Sequence, residues 1–113
     1  MVQPFLDEPL RAVSGVMWRE ELIAAAHERW IRIWPRDCGL ASAAVTVEPE
    51  ADLEDRLTRL LQGYEGLFCV QLAGPHLLDV NLRVHSSLPL GIAAGVNMVA
   101  IYCDLLRGEV VPT

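Results

Sequence analysis

The chain has no lysine. Its positive charge comes from nine arginines, set against fifteen acidic residues, and the net charge is −6. Because attraction to phosphate supplies most non-specific nucleic-acid affinity, this balance argues against direct binding to nucleic acid. The absence of lysine indicates a GC-rich genome, and we expect a bacterial source.

Cysteine is scarce and shows no metal-binding or redox pattern. Cys38, Cys69 and Cys103 are far apart, and no C-x-x-C motif is present. We place Cys69 and Cys103 in the core. The odd number of cysteines, without a signal peptide, favours a reducing compartment, so we expect a cytoplasmic protein. We predict no catalytic residue, no metal site and no cofactor.

Long apolar runs are also missing, although apolar residues are abundant. The longest run, residues 88–102, is interrupted by Pro89, Gly91 and Gly95 and is too short for a membrane span. Even so, 52% of the 113 residues are hydrophobic. A chain of this length predicts one domain, and the apolar excess predicts a homo-oligomer, a dimer or larger, because a lone monomer rarely exposes large apolar patches.

The first 40 residues predict an arm followed by a helix. Helix-forming residues concentrate from about residue 16 to 26. Trp18, Trp30 and Trp34 lie in the same segment. They predict either an aromatic anchor at an interface or a core that covers a sheet, and the sequence leaves both open. Residues 41–113 are predicted to form the main part of one compact unit.

Residues 43–84 carry the clearest pattern. A strand at 43–47 precedes a helix whose apolar stripe is predicted to face a sheet, and a strand at 67–72 follows. Next comes an alternating strand at 77–84 with one face predicted to be buried. The helix stripe comprises Leu53, Leu57, Leu60 and Leu61, and the buried strand face comprises Leu78, Val80, Leu82 and Val84.

The last 25 residues allow two readings. One gives a short helix over 90–94, ended by Gly95, and a final strand over 97–106. The other gives a single helix from Pro89 to Leu106. Val96, Val99 and Ile101 favour the strand. The expected fold is therefore α+β, a ferredoxin-like βαββαβ sandwich preceded by an N-terminal helix.

Residues 43–111 resemble the effector (RAM) domain of the Lrp/AsnC family of regulators. The resemblance is carried by VTVEPEADLEDRLTRLL, VQLAGPHLLDVNLRVHS and AGVNMVAIYCDLLRGEVV. No helix-turn-helix for DNA reading is evident in the first 40 residues. The resemblance implies a role in transcription regulation through a small effector, an amino acid, and oligomerisation through the sheet.

The same resemblance implies a ligand site near the turn at Gly74. Backbone N–H groups at Gly74 would hold a carboxylate, and Asp79 or Asn81 would meet an ammonium or amide group. His76 would make binding sensitive to pH. The simpler alternative is that Gly74-Pro75 is only a turn and that His76, Asp79 and Asn81 form the polar face of a strand.

Besides an effector-sensing oligomerisation domain, two other functions stay open. One is a non-enzymatic assembly or scaffold protein that forms oligomers with a protein partner. The other is a small dimeric α+β barrel enzyme. No nucleophile or acid–base pair stands out, which favours a non-enzymatic role.

Overall fold

A computed structural model describes residues 4–34, 40–84 and 88–108. The elements follow the order βββαββαα: β1 Leu10–Trp18, β2 Glu21–Trp34, β3 Leu40–Val47, α1 Ala51–Leu60, β4 Gly66–Ala73, β5 His76–Asn81, α2 Leu88–Ala93 and α3 Met98–Leu106. The chain combines helices with an antiparallel sheet and is α+β. The expected ferredoxin-like βαββαβ order with an N-terminal helix is wrong.

The strands form one five-stranded sheet in the order β3-β2-β1-β4-β5, and every neighbouring pair is antiparallel. The first three strands form a meander. Helix α1 then carries the chain from the β3 edge back to β4 beside β1. A βαββαβ chain would instead start with a helix crossover between its first two strands. Strands before and after residue 40 share this sheet.

The segment predicted as a helix, residues 16–26, lies in the β1–β2 hairpin. Arg19 and Glu20 form its two-residue turn with φ values of 50° and 69°. A turn with two positive φ values matches the twist of the flanking strands, and Asn-Gly is its usual sequence signal. Here the turn lacks that signal and is held by a contact distant in sequence, because the Arg19 N–H donates to Glu65 Oε2 at 2.9 Å.

Gly15 allows the centre of the sheet to close. It pairs with Ala25 of β2 and Phe68 of β4. A Cβ at this position would overlap the carbonyl oxygen of Ala24 and lie 3.1 Å from the Phe68 ring. The strand therefore needs a residue without a side chain where the aromatic ring crosses it.

One face of the sheet, the α1 face, holds the main core beneath α1. The helix forms as predicted, because its apolar residues recur at helical spacing. Leu60 is the exception: it is 52% exposed, so its predicted contact with the sheet is wrong. The buried cluster on this face comprises Val13, Met17, Leu53, Leu57, Leu61, Phe68, Val70 and Leu72.

Helices α2 and α3 cover the opposite face, the α2–α3 face. Gly91 packs so tightly that a Cβ there would lie 2.7 Å from Met98 and 3.6 Å from Ala26. The preferred strand over residues 97–106 is wrong, because α3 occupies most of this segment. Asn97 caps α3 by accepting from the Ala100 N–H at 3.2 Å. A short helix before Gly95 is confirmed as α2.

Candidate functional site

The turn between β4 and β5 is built on Gly74, whose φ of +57° favours glycine. The Gly74 N–H donates to the Pro9 carbonyl at 2.8 Å. The Gly74 carbonyl accepts from Arg11 Nε at 3.0 Å. The N–H that was predicted to hold an effector carboxylate is therefore already bonded within the chain.

The other predicted ligand residues lie along β5 and share one face of it. This follows from their pairing with alternate residues of β4: His76 with Ala73, Asp79 with Gln71 and Asn81 with Cys69. His76 and Asp79 are exposed, and Asn81 is half-buried. The structure places these three polar residues on one face of the strand, just after the Gly74 turn. Their binding of an effector stays a prediction.

An apolar surface runs along the end of the sheet. Strand β5 is outermost, and Leu77, Leu78, Leu82 and Val84 in and directly after it are between 47% and 51% exposed. We call these four residues the β5 apolar edge. Of the strand face predicted to be buried, only Val80 packs against the core. The leucines of α1 join a cluster centred on β1 and β4, and the outer strand is left uncovered.

The buried Cys69 pairs with Asn81 of β5, and two opposite charges, Asp79 and Arg83, lie two residues before and two residues after Asn81. Burial raises the pKa of the Cys69 thiol to about 12; Glu28 and Asp79 contribute in the same direction and Arg83 opposes them. Asp79 is exposed on β5, and Arg83 is exposed two residues after the end of β5, where the chain bends. Neither forms a salt bridge with another residue in the described ranges. Cys69 is buried as predicted, whereas Cys103 is exposed and its predicted core position is wrong.

The tryptophans predicted as an interface do not form one cluster. The Trp18 ring makes an edge-on contact with Tyr102 of α3, with centroids 6.2 Å apart. Trp18 pairs with Glu21, and Trp30 lies nine residues further along β2, about 30 Å away. Trp30 Nε1 donates to Glu28 Oε1 at 3.2 Å. The Trp34 side chain lies outside the described residues.

A polar pair that the sequence did not indicate joins α1 to β2. His27 Nε2 and Glu54 Oε2 are 2.6 Å apart, and the His27 side chain is only 4% exposed. The two residues are 27 positions apart, so no local pattern connects them. The prediction of a helix just before His27 also concealed the strand that brings the two side chains together. The buried imidazole thus has a carboxylate partner.

His27 also lines an open cleft of about 540 Å³ between the end of the β2–β3 pairing and the α2–α3 connection. Its other walls are mostly small or apolar: Ala25, Ala26, Thr46, Val47, Glu48, Pro49, Ala94 and Val96. A second cleft of about 430 Å³ shares residues 47–49 and contains the Arg11–Glu50 salt bridge of 2.8 Å.

Within residues 4–34, 40–84 and 88–108, no three histidine, cysteine or acidic side chains lie together in a group that could hold a metal ion. No helix in the same ranges is long and apolar enough to cross a membrane.

Comparison with protein-family models, with curated proteins and with solved structures gives no significant match.

Proposed function

We propose that the chain is a non-enzymatic protein-binding module that accepts an extended strand along β5. The observation that carries the proposal is the β5 apolar edge, where four large apolar side chains in and directly after the outermost strand are about half exposed. Exposed apolar surface of this kind is typical of interaction sites, and a sheet edge is a template for a further strand.

The backbone of β5 supports this mode of binding. An edge strand bonds its one neighbour through the N–H and C=O groups of every second residue, so the N–H and C=O groups of the residues between them point away from the sheet. Strand addition uses those outward groups for affinity and the alternate side chains for specificity. Asp79 and the bulge between Leu77 and Asp79 limit the possible registers of an added strand.

The opposite edge of the sheet suits this role less well. Helix α2 packs against β3, and the β3 side chains from residue 43 to 46 are half-buried. At β5 the corresponding side chains are exposed in the residues before Val80. Of the two edges, β5 therefore offers the more accessible surface.

Backbone-methylated peptides test whether a strand adds to β5. Fluorescently labelled nonapeptides that alternate apolar and polar residues, including the chain's own residues 76–84, are titrated with the protein and followed by anisotropy. Each peptide is also made in two N-methylated forms, one methylated on the odd-numbered residues and the other on the even-numbered residues. Because the N–H groups of only every second residue of an added strand face β5, we expect one methylated form to lose binding and the other to retain it.

A matched pair of protein variants locates the site. Leu82→Ser removes an apolar contact of the β5 edge, whereas Leu60→Ser removes an equally exposed leucine, 52% against 51%, from α1. We expect only Leu82→Ser to weaken peptide binding. If neither methylated form loses binding, or if both protein variants bind the peptides equally well, the proposal of strand addition at β5 is wrong.

The effector-sensing function implied by the Lrp/AsnC resemblance stays a separate prediction. A ligand that binds only the folded chain raises its unfolding temperature by mass action. A thermal-shift screen of amino acids, repeated on Asp79→Ala, tests that role independently. A rise with one amino acid that disappears in the variant would support it, and no rise with any amino acid would count against it.

A further inference from the structure

We propose that the strand accepted by β5 is β5 of a second copy of this chain, aligned antiparallel about a twofold axis through Asn81. The inference rests on the proposed function and adds to it the identity and register of the partner. Such a pairing joins two five-stranded sheets into one continuous sheet of ten strands.

Charge complementarity carries this register. Asp79 lies on the outermost strand and Arg83 lies just beyond its end; both are exposed, and they are two residues from Asn81 on opposite sides. In an antiparallel pair centred on Asn81, Asp79 of each copy faces Arg83 of the other. Two cross-strand ion pairs therefore form at once, from charges that have no salt bridge within the described part of one chain.

The same register also brings apolar residues together. Val80 of each copy faces Leu82 of the other, and Leu78 faces Val84. Three of these four residues are between 48% and 51% exposed in the single chain, and Val80 already borders the core. In the single chain β5 ends at Asn81 and the chain bends at Arg83, so the pairing requires residues 82–84 to straighten and continue the strand. It would extend each apolar core across the junction, where the alternating sequence predicts a buried face.

Three other registers lack this match. Moving the axis to Asp79 places the two Asp79 carboxylates opposite each other, and moving it to Arg83 does the same with two guanidinium groups. Like charges directly opposite are destabilising in a sheet. An axis at Val80 leaves Asp79 facing Asn81 and Arg83 facing Leu77, so neither charge has a partner.

Charge exchange tests the register. Sedimentation of the full chain gives the dimer dissociation constant for the parent, for Asp79→Arg, for Arg83→Asp and for the double exchange. Each single reversal turns two attractive pairs into two repulsive pairs, so we expect dissociation constants about tenfold higher, with recovery in the double exchange. Additive weakening in the double exchange would overturn the register.

Disulfide trapping tests the axis directly. Cys38, Cys69 and Cys103 are replaced by alanine, and Asn81→Cys or Leu77→Cys is added. Residues opposite each other in a sheet have Cα atoms about 5 Å apart, within reach of a disulfide. In the proposed dimer the two copies of residue 77 are eight positions apart, about 27 Å. We therefore expect covalent dimers only from Asn81→Cys under mild oxidation.

The outcomes separate this inference from the proposed function. A chain that binds unrelated strand peptides at β5 but stays single in sedimentation overturns the self-pairing and leaves strand acceptance standing. Trapping through Leu77→Cys alone also overturns the Asn81 axis. If the chain neither pairs with itself nor binds any peptide, both proposals fail.

Discussion

Truncating a buried leucine of α1 measures how firmly this helix holds the sheet. Leu57 is 4% exposed and lies in the cluster beneath α1. Replacing it with alanine removes its buried side chain beyond Cβ and leaves a cavity that the surrounding strands fill only in part. The expected loss of unfolding free energy is about 3 kcal/mol, within the range observed for buried leucines.

Leu60 supplies the matched control three residues later on the same helix. It is 52% exposed, so Leu60→Ala should cost less than about 1 kcal/mol. Both substitutions change helix propensity by the same amount, because the same residue types are exchanged in one helix. The difference between the two variants therefore reports packing against the sheet alone.

Urea unfolding followed by circular dichroism provides the measurement. With a slope of about 1.5 kcal/mol per molar urea, Leu57→Ala should lower the midpoint by about 2 M. All variants are compared at one protein concentration, because self-association adds to apparent stability. Equal midpoint shifts for Leu57→Ala and Leu60→Ala would show that α1 does not pack on the sheet through Leu57.

Three further predictions concern other parts of the fold. Gly15→Ala should cost about 2 kcal/mol or more in urea unfolding, since its Cβ would collide with a strand carbonyl and the Phe68 ring; unchanged stability would contradict the close approach. Glu54→Ala should cost about 1–3 kcal/mol by leaving His27 unpaired, and Glu54→Gln should cost less, since an amide retains a hydrogen bond; equal losses would contradict this. The Cys69 pKa is raised from 9.0 to about 12. The contribution of the buried neutral thiol to stability is thus complete below pH 9. Above pH 9 it falls by about 1.4 kcal/mol per pH unit, because the thiol ionises in the unfolded chain. If the unchanged chain and Cys69→Ala show the same dependence of stability on pH above pH 9, this expectation is wrong.

Elements defined by strong local periodicity could be predicted from the sequence. Helix α1 shows the helical spacing of Leu53 and Leu57, and β4 is a short apolar run bounded by glycine. Both are confirmed, as is the strand predicted over residues 43–47, which forms part of β3. In these segments the local pattern and the tertiary packing favour the same structure.

Elements decided by distant contacts could not be predicted. The β1–β2 hairpin turns at Arg19 and Glu20, which carry no turn signal, and its alanines favour a helix. Helix α3 contains β-branched residues that favour a strand, but Met98 is buried against the rest of the chain. Without the hairpin in place, the His27–Glu54 pair could not be found either.

The exposure of β5 shows a different kind of disagreement between sequence and structure. The alternation over residues 77–84 predicts a buried face, yet Leu78, Leu82 and Val84 are about half exposed. Alternation of this kind is typical of a strand with one covered face. The pairing proposed here would bring the two into agreement.

The solution mass of the purified chain, followed by sedimentation across a concentration series, tests the central claim most directly. The account predicts a reversible equilibrium between one and two chains that Asp79→Arg shifts towards the single chain. A single-chain mass at every concentration would contradict pairing through β5.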